Sequence, residues 1–186
     1  MHTREQALGL LNSADLICSA EFVSASIARV AAQITQVLGE RYPLVLSVMG
    51  GAIVFAGQLL PQLRFPLDLD YIHVTRYRNT TQGHEVEWKV MPKADIRGRV
   101  VLVLDDILDE GRTLEAVREK LLKMGVAEIY TAVLAVKDTG QTKPIQADFA
   151  GLHLPNRYVF GCGMDVKGLW RNLPEIYALK DESKSF

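Results

Sequence analysis

At 186 residues and 48 % hydrophobic content, the chain fits one domain with a substantial buried core. Lys and Arg total 21 against 22 Asp and Glu, a net charge of −1 that gives no electrostatic ground for binding nucleic acid or an anionic membrane. Two cysteines, Cys18 and Cys162, exclude a disulfide framework and lack zinc-ligand spacing, and no apolar stretch reaches transmembrane length.

Met1 to Glu5 has none of the features of a signal peptide, so a soluble, cytoplasmic protein with reduced thiols is expected. No repeat, low-complexity tract or linker divides the sequence, which reads as one domain over 1–186. The N-terminal part reads as helical: Ile27, Val30, Ile34 and Val37 recur at helical steps, and Gly39 can end that helix. Leu44 to Val48 is short and apolar, a buried strand. Gly50-Gly51 follows, then a helix from Ile53 to Leu60 broken at Pro61.

From Leu69 to Val90 the pattern turns to alternation. Ile72 and Val74 share a face, Arg76 to His84 is polar, and Val86, Trp88 and Val90 alternate with charged residues. These are two extended arms around a loose tip. A turn over Ile96 to Arg99 leads into the apolar run Val100 to Leu104. A helix from about Thr113 comes next, with Leu114, Val117, Leu121 and Leu122 on its inner face and Gly125 as its cap. Ile129 to Val136 is another buried strand, and Tyr158 to Phe160 a short one. Strands that are apolar throughout and alternate with helices predict an α/β fold with a mostly parallel central sheet, covered on both faces.

The segment Val100-Val101-Leu102-Val103-Leu104-Asp105-Asp106-Ile107-Leu108-Asp109-Glu110-Gly111-Arg112-Thr113-Leu114 carries the chemistry. An apolar strand ends in two carboxylates, turns through Gly111 and Thr113, and enters a helix. In open α/β sheets ligands sit beyond the carboxyl ends of the strands, where the backbone N–H groups of a helix start and a hydroxyl make a phosphate cradle. Two adjacent acids repel a phosphate unless hydroxyl donors lie between. A ribose supplies them: Asp105 and Asp106 can accept from its two neighbouring hydroxyls while the 5-phosphate lies in the loop Asp109-Glu110-Gly111-Arg112-Thr113. A magnesium ion nearby would reduce the remaining repulsion. A Walker-type loop fails here, since it needs Gly-Lys-Ser/Thr and sets no acids in the phosphate nest.

This segment resembles the phosphoribosyl-pyrophosphate signature of the type I phosphoribosyltransferases. Further on, Ala135-Val136-Lys137-Asp138-Thr139, then Tyr158-Val159-Phe160-Gly161-Cys162-Gly163-Met164-Asp165, then Trp170-Arg171-Asn172-Leu173 resemble the hypoxanthine-guanine branch in order and spacing, and the likeness runs from about Leu44 to Leu173. It implies the type I fold: a core over about 40–150, a small hood from the N-terminal segment and about 151–186, and a mobile lid over about 75–90. It also implies magnesium-dependent transfer of ribose 5-phosphate from phosphoribosyl pyrophosphate to hypoxanthine or guanine. By the same resemblance Lys137 donates to purine O6, Tyr158 stacks on the ring, and the Val159 backbone accepts from N1–H. Asp165 holds the magnesium, Gly50, Gly51 and Arg171 bind the pyrophosphate, and Asp109, near N7, acts as the general base or hydrogen-bonds the ring as charge moves. Members are usually homodimers or homotetramers.

Two departures stand out. Many members carry a lysine just before the two glycines where this chain has Met49, so a charge is missing from that loop. Arg76-Tyr77 stands where a Ser-Tyr pair is common. A non-catalytic regulator sensing phosphoribosyl pyrophosphate is the rival from another class. The sequence lacks the helix-turn-helix and basic patch that such a role would need. Lys137, which has donors and no acceptor, argues against adenine. Xanthine stays open, because the pocket around C2 depends on backbone carbonyls.

Overall fold

The computed structural model describes residues 2–76 and 86–180. Helix α1, Arg4–Asn12, starts on a capping box in which Thr3 and Gln6 satisfy each other's backbone N–H groups. Strand β1, Asp15–Cys18, leads into α2, Ala20–Leu38, whose N-cap Ser19 accepts from the Phe22 N–H. The buried stripe of α2 is Val23, Ser26, Ile27, Val30, Ala31, Ile34 and Leu38. Val37, expected on that stripe, is 43 % exposed. The step from Ile34 to Leu38 keeps the inner face, whereas Val37 is rotated away from it. Gly39 does end the helix, but with φ −56 in the right-handed region rather than as a left-handed cap.

The main sheet has the order β4-β3-β2-β5-β6-β7. Its central strand β2, Leu44–Met49, is buried along nearly its whole length and pairs in parallel with β3 (Asp68–Arg76) and β5 (Val100–Leu108). Next come β6, Glu128–Asp138, and β7, Phe149–Pro155, also parallel. Among the described strands of this sheet only β4, Val86–Val90, runs antiparallel, against β3. The tip between these two strands, and most of the expected lid, lies outside the described residues.

Helix α3, Ile53–Leu59, and α2 cover one face of the sheet. A single 3-10 turn, Leu60–Gln62 with Pro61 at its start, ends α3 as the proline requires. Helix α4, Arg112–Lys123, covers the other face with Leu114, Val117 and Leu121. Leu122 was expected among them but is 47 % exposed, one residue step around the helix from Leu121.

The expected end of the signature strand at the two acids is also corrected. β5 continues through Asp105 and Asp106 to Leu108, in ladder with Val136 of β6. Backbone pairing is indifferent to side-chain polarity, so a neighbouring strand of sufficient length carries the acids into the sheet's end.

A second, antiparallel sheet of three strands, β1-β9-β8, gathers the two ends of the chain above the first; β8 is Val159–Phe160 and β9 Ile176–Ala178. Arg157 ties it together, donating to Asp15 Oδ2 at 2.6 Å and to the Leu179 carbonyl at 2.7 Å. Trp170 Nε1 donates to the Ala7 carbonyl at 2.9 Å and fastens α1. Among the described residues no helix is long and apolar enough to cross a membrane.

Candidate active site

The carboxyl ends of β2, β3 and β5 and the start of α4 surround a cleft of about 890 Å³, roofed by residues of the second sheet's loops. Gly50, Gly51, Asp105, Asp106, Asp109, Gly111, Thr113, Tyr158, Asp165 and Arg171 all line it. Ten of the fourteen candidates from the sequence therefore share one space, and Lys137 and Val159 line a smaller pocket beside it. Glu110 and Arg112 face an adjoining recess instead, 3.6 Å from each other, so any part they take in a phosphate cradle falls to their backbone.

The turn itself is built for close approach. Gly111 is the N-cap of α4 at φ +86, a conformation suited to glycine, and no side chain caps the helix start. Behind it Asp105 is buried and accepts from the Asp106 N–H at 3.0 Å, while Asp106 accepts from the Ile107 N–H at 2.8 Å. Burial pushes the Asp106 carboxyl above the usual carboxylate range, and this outweighs the opposing help from Asp105, the Ile107 N–H and the Arg171 charge.

The loop after β2 packs on this acid. A Cβ on Gly51 would run into the Asp106 carboxylate, and one on Gly163 would strike the Gly51 carbonyl. The Met49-Gly50 peptide is cis. Arg171 closes the same corner, donating from Nη1 to the Gly163 carbonyl at 2.5 Å and pairing through Nη2 with Asp165 Oδ1 at 2.7 Å.

A smaller pocket of about 200 Å³ opens beside the acids, lined by Asp106, Ile107, Asp109, Lys137, Tyr158, Val159, Met164 and Asp165. At its inner edge Lys137 Nζ stands 2.9 Å from Asp109 Oδ2, a donor and an acceptor side by side. Tyr158, 53 % exposed, is among the residues lining this pocket. The Leu179 N–H donates to the Tyr158 carbonyl at 2.9 Å, which makes Val159 and Ala178 a non-hydrogen-bonded pair of the ladder. The Val159 carbonyl therefore points away from β9, toward the open edge of the sheet, where β8 is the last strand.

The described residues contain no cluster of three or more His, Cys, Asp or Glu able to cage a metal. Asp165 accepts from the Gly168 N–H at 2.6 Å through Oδ2 and from Arg171 through Oδ1, and a carboxylate oxygen has a second lone pair. One cleft-facing carboxylate suits magnesium, which takes one or two protein carboxylates and fills its octahedron with water and substrate phosphates.

Two side chains escaped the sequence reading. Lys143 donates to the main-chain carbonyl of Asp109 and holds the turn from outside. His73 lines the cleft from β3. Nothing local marks Lys143. The signal for His73 was its place near the carboxyl end of a strand beside β2.

Residues 19–167 match the family model described as a phosphoribosyl transferase domain. The hypoxanthine-guanine phosphoribosyltransferase of Streptococcus pneumoniae (strain ATCC BAA-255 / R6) is 30 % identical over 168 residues, covering 90 % of this chain and 93 % of that one. A crystal structure of a hypoxanthine phosphoribosyltransferase from Staphylococcus aureus superposes with a TM-score of 0.86 at 26 % identity, covering 96 % of this chain and 98 % of that one. A solved hypoxanthine-guanine-xanthine phosphoribosyltransferase gives 0.81 at 29 % identity, over 91 % and 99 %. With a family model spanning most of its length and relatives matched almost end to end, the chain belongs to the phosphoribosyltransferases.

Proposed function

We propose that this protein serves purine salvage by transferring ribose 5-phosphate from phosphoribosyl pyrophosphate to hypoxanthine or guanine, giving IMP or GMP and pyrophosphate. The observation that carries this reading is the sharing of Asp109 between two adjoining spaces, one suited to a sugar phosphate and one to a base. In the first, the α4 start with Gly111 and Thr113 receives the 5-phosphate, and Asp105 and Asp106 accept from the ribose hydroxyls. In the second, the paired Asp109 and Lys137 match the N7–H and O6 edge of a 6-oxopurine, Tyr158 stacks on the ring, and the Val159 carbonyl accepts from N1–H.

Chemistry follows from that placement. The purine N9 attacks the anomeric carbon as the bond to pyrophosphate breaks, and Asp109 takes the proton from N7 as charge leaves the ring. The ribose gains oxocarbenium character between the two bonds, as in glycoside cleavage. Arg171 and the N–H groups of the Gly50-Gly51 loop receive the leaving group. Asp165 would hold a magnesium ion, which neutralises pyrophosphate charge when bound. The small sheet serves as a hood, and the segment of about 75–90 as a lid that excludes water. The working unit is a homodimer or homotetramer.

An assay of the protein with phosphoribosyl pyrophosphate, magnesium and each of adenine, hypoxanthine, guanine and xanthine tests the reading. Nucleotide from hypoxanthine and guanine is expected; product from adenine alone, or from no base, refutes it. Xanthine is the second reading, favoured by the solved relative whose name includes that base.

A further inference from the structure

The proposed cleft receives a substrate with a terminal pyrophosphate, yet most of the charged side chains lining it are acidic. Asp105, Asp106, Asp109 and Asp165 face it, and Arg171 is already joined to Asp165 at 2.7 Å and to the Gly163 carbonyl. Lys137 and Lys143 are engaged on Asp109. Met49, at the entry to the Gly50-Gly51 loop, brings neither a charge nor a donor in its side chain. Among the described residues lining the cleft, His73 is the one side chain besides Arg171 that can carry positive charge.

Its position is fixed by the sheet. β2 and β3 run parallel and in register up to the pair Met49 and His73. Residues so paired in neighbouring parallel strands project from the same face, about 5 Å apart. His73 therefore stands beside the residue that opens the pyrophosphate loop, half-buried and lining the same cleft as Gly50 and Gly51.

We infer that His73 is the pyrophosphate-binding side chain of this protein at the loop end of the cleft, donating from its imidazole to the diphosphate in place of a cation at position 49. The inference rests on the proposed function and adds a residue to it. The geometry also predicts reciprocity: a lysine at position 49 reaches the same oxygens, so the two positions substitute for one another.

The test is calorimetric titration of the full chain with magnesium pyrophosphate and, separately, with GMP, which has the 5-phosphate and base but no pyrophosphate. His73→Ala should weaken pyrophosphate binding about tenfold and raise the KM for phosphoribosyl pyrophosphate in parallel, the loss expected for one hydrogen bond to a charged group. GMP affinity and the KM for the base should stay at wild-type values. Adding Met49→Lys to His73→Ala should recover most of the loss. Unchanged pyrophosphate affinity in His73→Ala, an equal loss for GMP, or no recovery in the double variant overturns the assignment. If the wild-type protein itself binds neither pyrophosphate nor GMP, the proposed function falls and takes this inference with it.

Discussion

Asp109 is gripped at two points, by Lys137 on its carboxylate at 2.9 Å and by Lys143 on its main-chain carbonyl. A base that must meet one ring nitrogen gains from such fixation, because misplacement by an ångström is costly in rate. Asp109→Asn keeps the shape and removes the proton acceptor, so kcat should fall about a hundredfold with little change in the KM for phosphoribosyl pyrophosphate. Steady-state kinetics on purified protein decides it; equal losses in both constants sink the base assignment. Lys137 was legible because it closes an apolar strand just before Asp138 and Thr139, a context the hypoxanthine-guanine branch shares. Lys143 was not, since its partner lies 34 positions away and only the fold joins them. The cysteines belong at this scale too. Cys162 is buried and its thiol is pushed up to about 12, by burial first and then by Glu175 and Cys18, and burial also raises Cys18. Thiolate is the reactive form, so both should resist a thiol reagent at neutral pH until the protein unfolds. Rapid labelling of the native protein would count against this.

Two glycines with similar backbone angles separate stability from function at the level of elements. Gly125 follows the end of α4 at φ +91, and the nearest atom to an added Cβ would be Arg97 Cγ at 3.4 Å, an ordinary contact. Gly125→Ala should therefore cost only the left-handed backbone penalty, about 1–2 kcal/mol, and leave kcat/KM alone. Gly163 sits at φ +100, but its Cβ would strike the Gly51 carbonyl. Gly163→Ala should lose more stability and also disrupt the loop that carries Gly50 and Gly51. Thermal melts paired with pyrophosphate titration compare the two; similar behaviour in both variants would mean the loop contact is unimportant. Most strands of the main sheet were legible, because short continuous apolar runs such as Leu44 to Val48 and Ile129 to Val136 suit strands buried on both faces of a sheet, whereas β1, β7 and β9, which lack a run of that length, were not read. Boundaries were less so. β5 outran its apolar stretch because β6 offered partners as far as Val136, and pairing of that kind is invisible in one strand's own sequence. The convergence of the two sheets around the cleft was suggested by motif order, while the contact between Gly51, Gly163 and Asp106 needed the fold.

Asp106 couples the whole molecule's stability to its site. The carboxylate is pressed between the Gly51 loop and the end of the main sheet, and desolvation raises its pKa above the ordinary 3.8. Between 3.8 and the raised folded value, the folded state binds more protons than the unfolded chain, so stability from this group falls as pH rises through that window. Above it the cost of an ionised, half-buried and partly desolvated acid remains, a cost the protein carries without ligand. In the proposed complex a ribose donating its hydroxyls to this carboxylate would offset part of that cost and make substrate a stabiliser of the fold. Asp106→Asn removes the charge but keeps the volume. Its ligand-free melting temperature should exceed that of wild type at neutral pH, by roughly 2–4 °C for each kcal/mol released in a chain of this size. The gap should narrow as the pH is lowered and close below about 4, where the wild-type carboxyl becomes protonated in both states. Phosphoribosyl pyrophosphate with magnesium should then raise the wild-type melting temperature far more than that of the variant. Melting curves across pH, with and without that substrate, carry the decision. A gap that does not change with pH would place the strain elsewhere, because only a titrating group closes it on acidification.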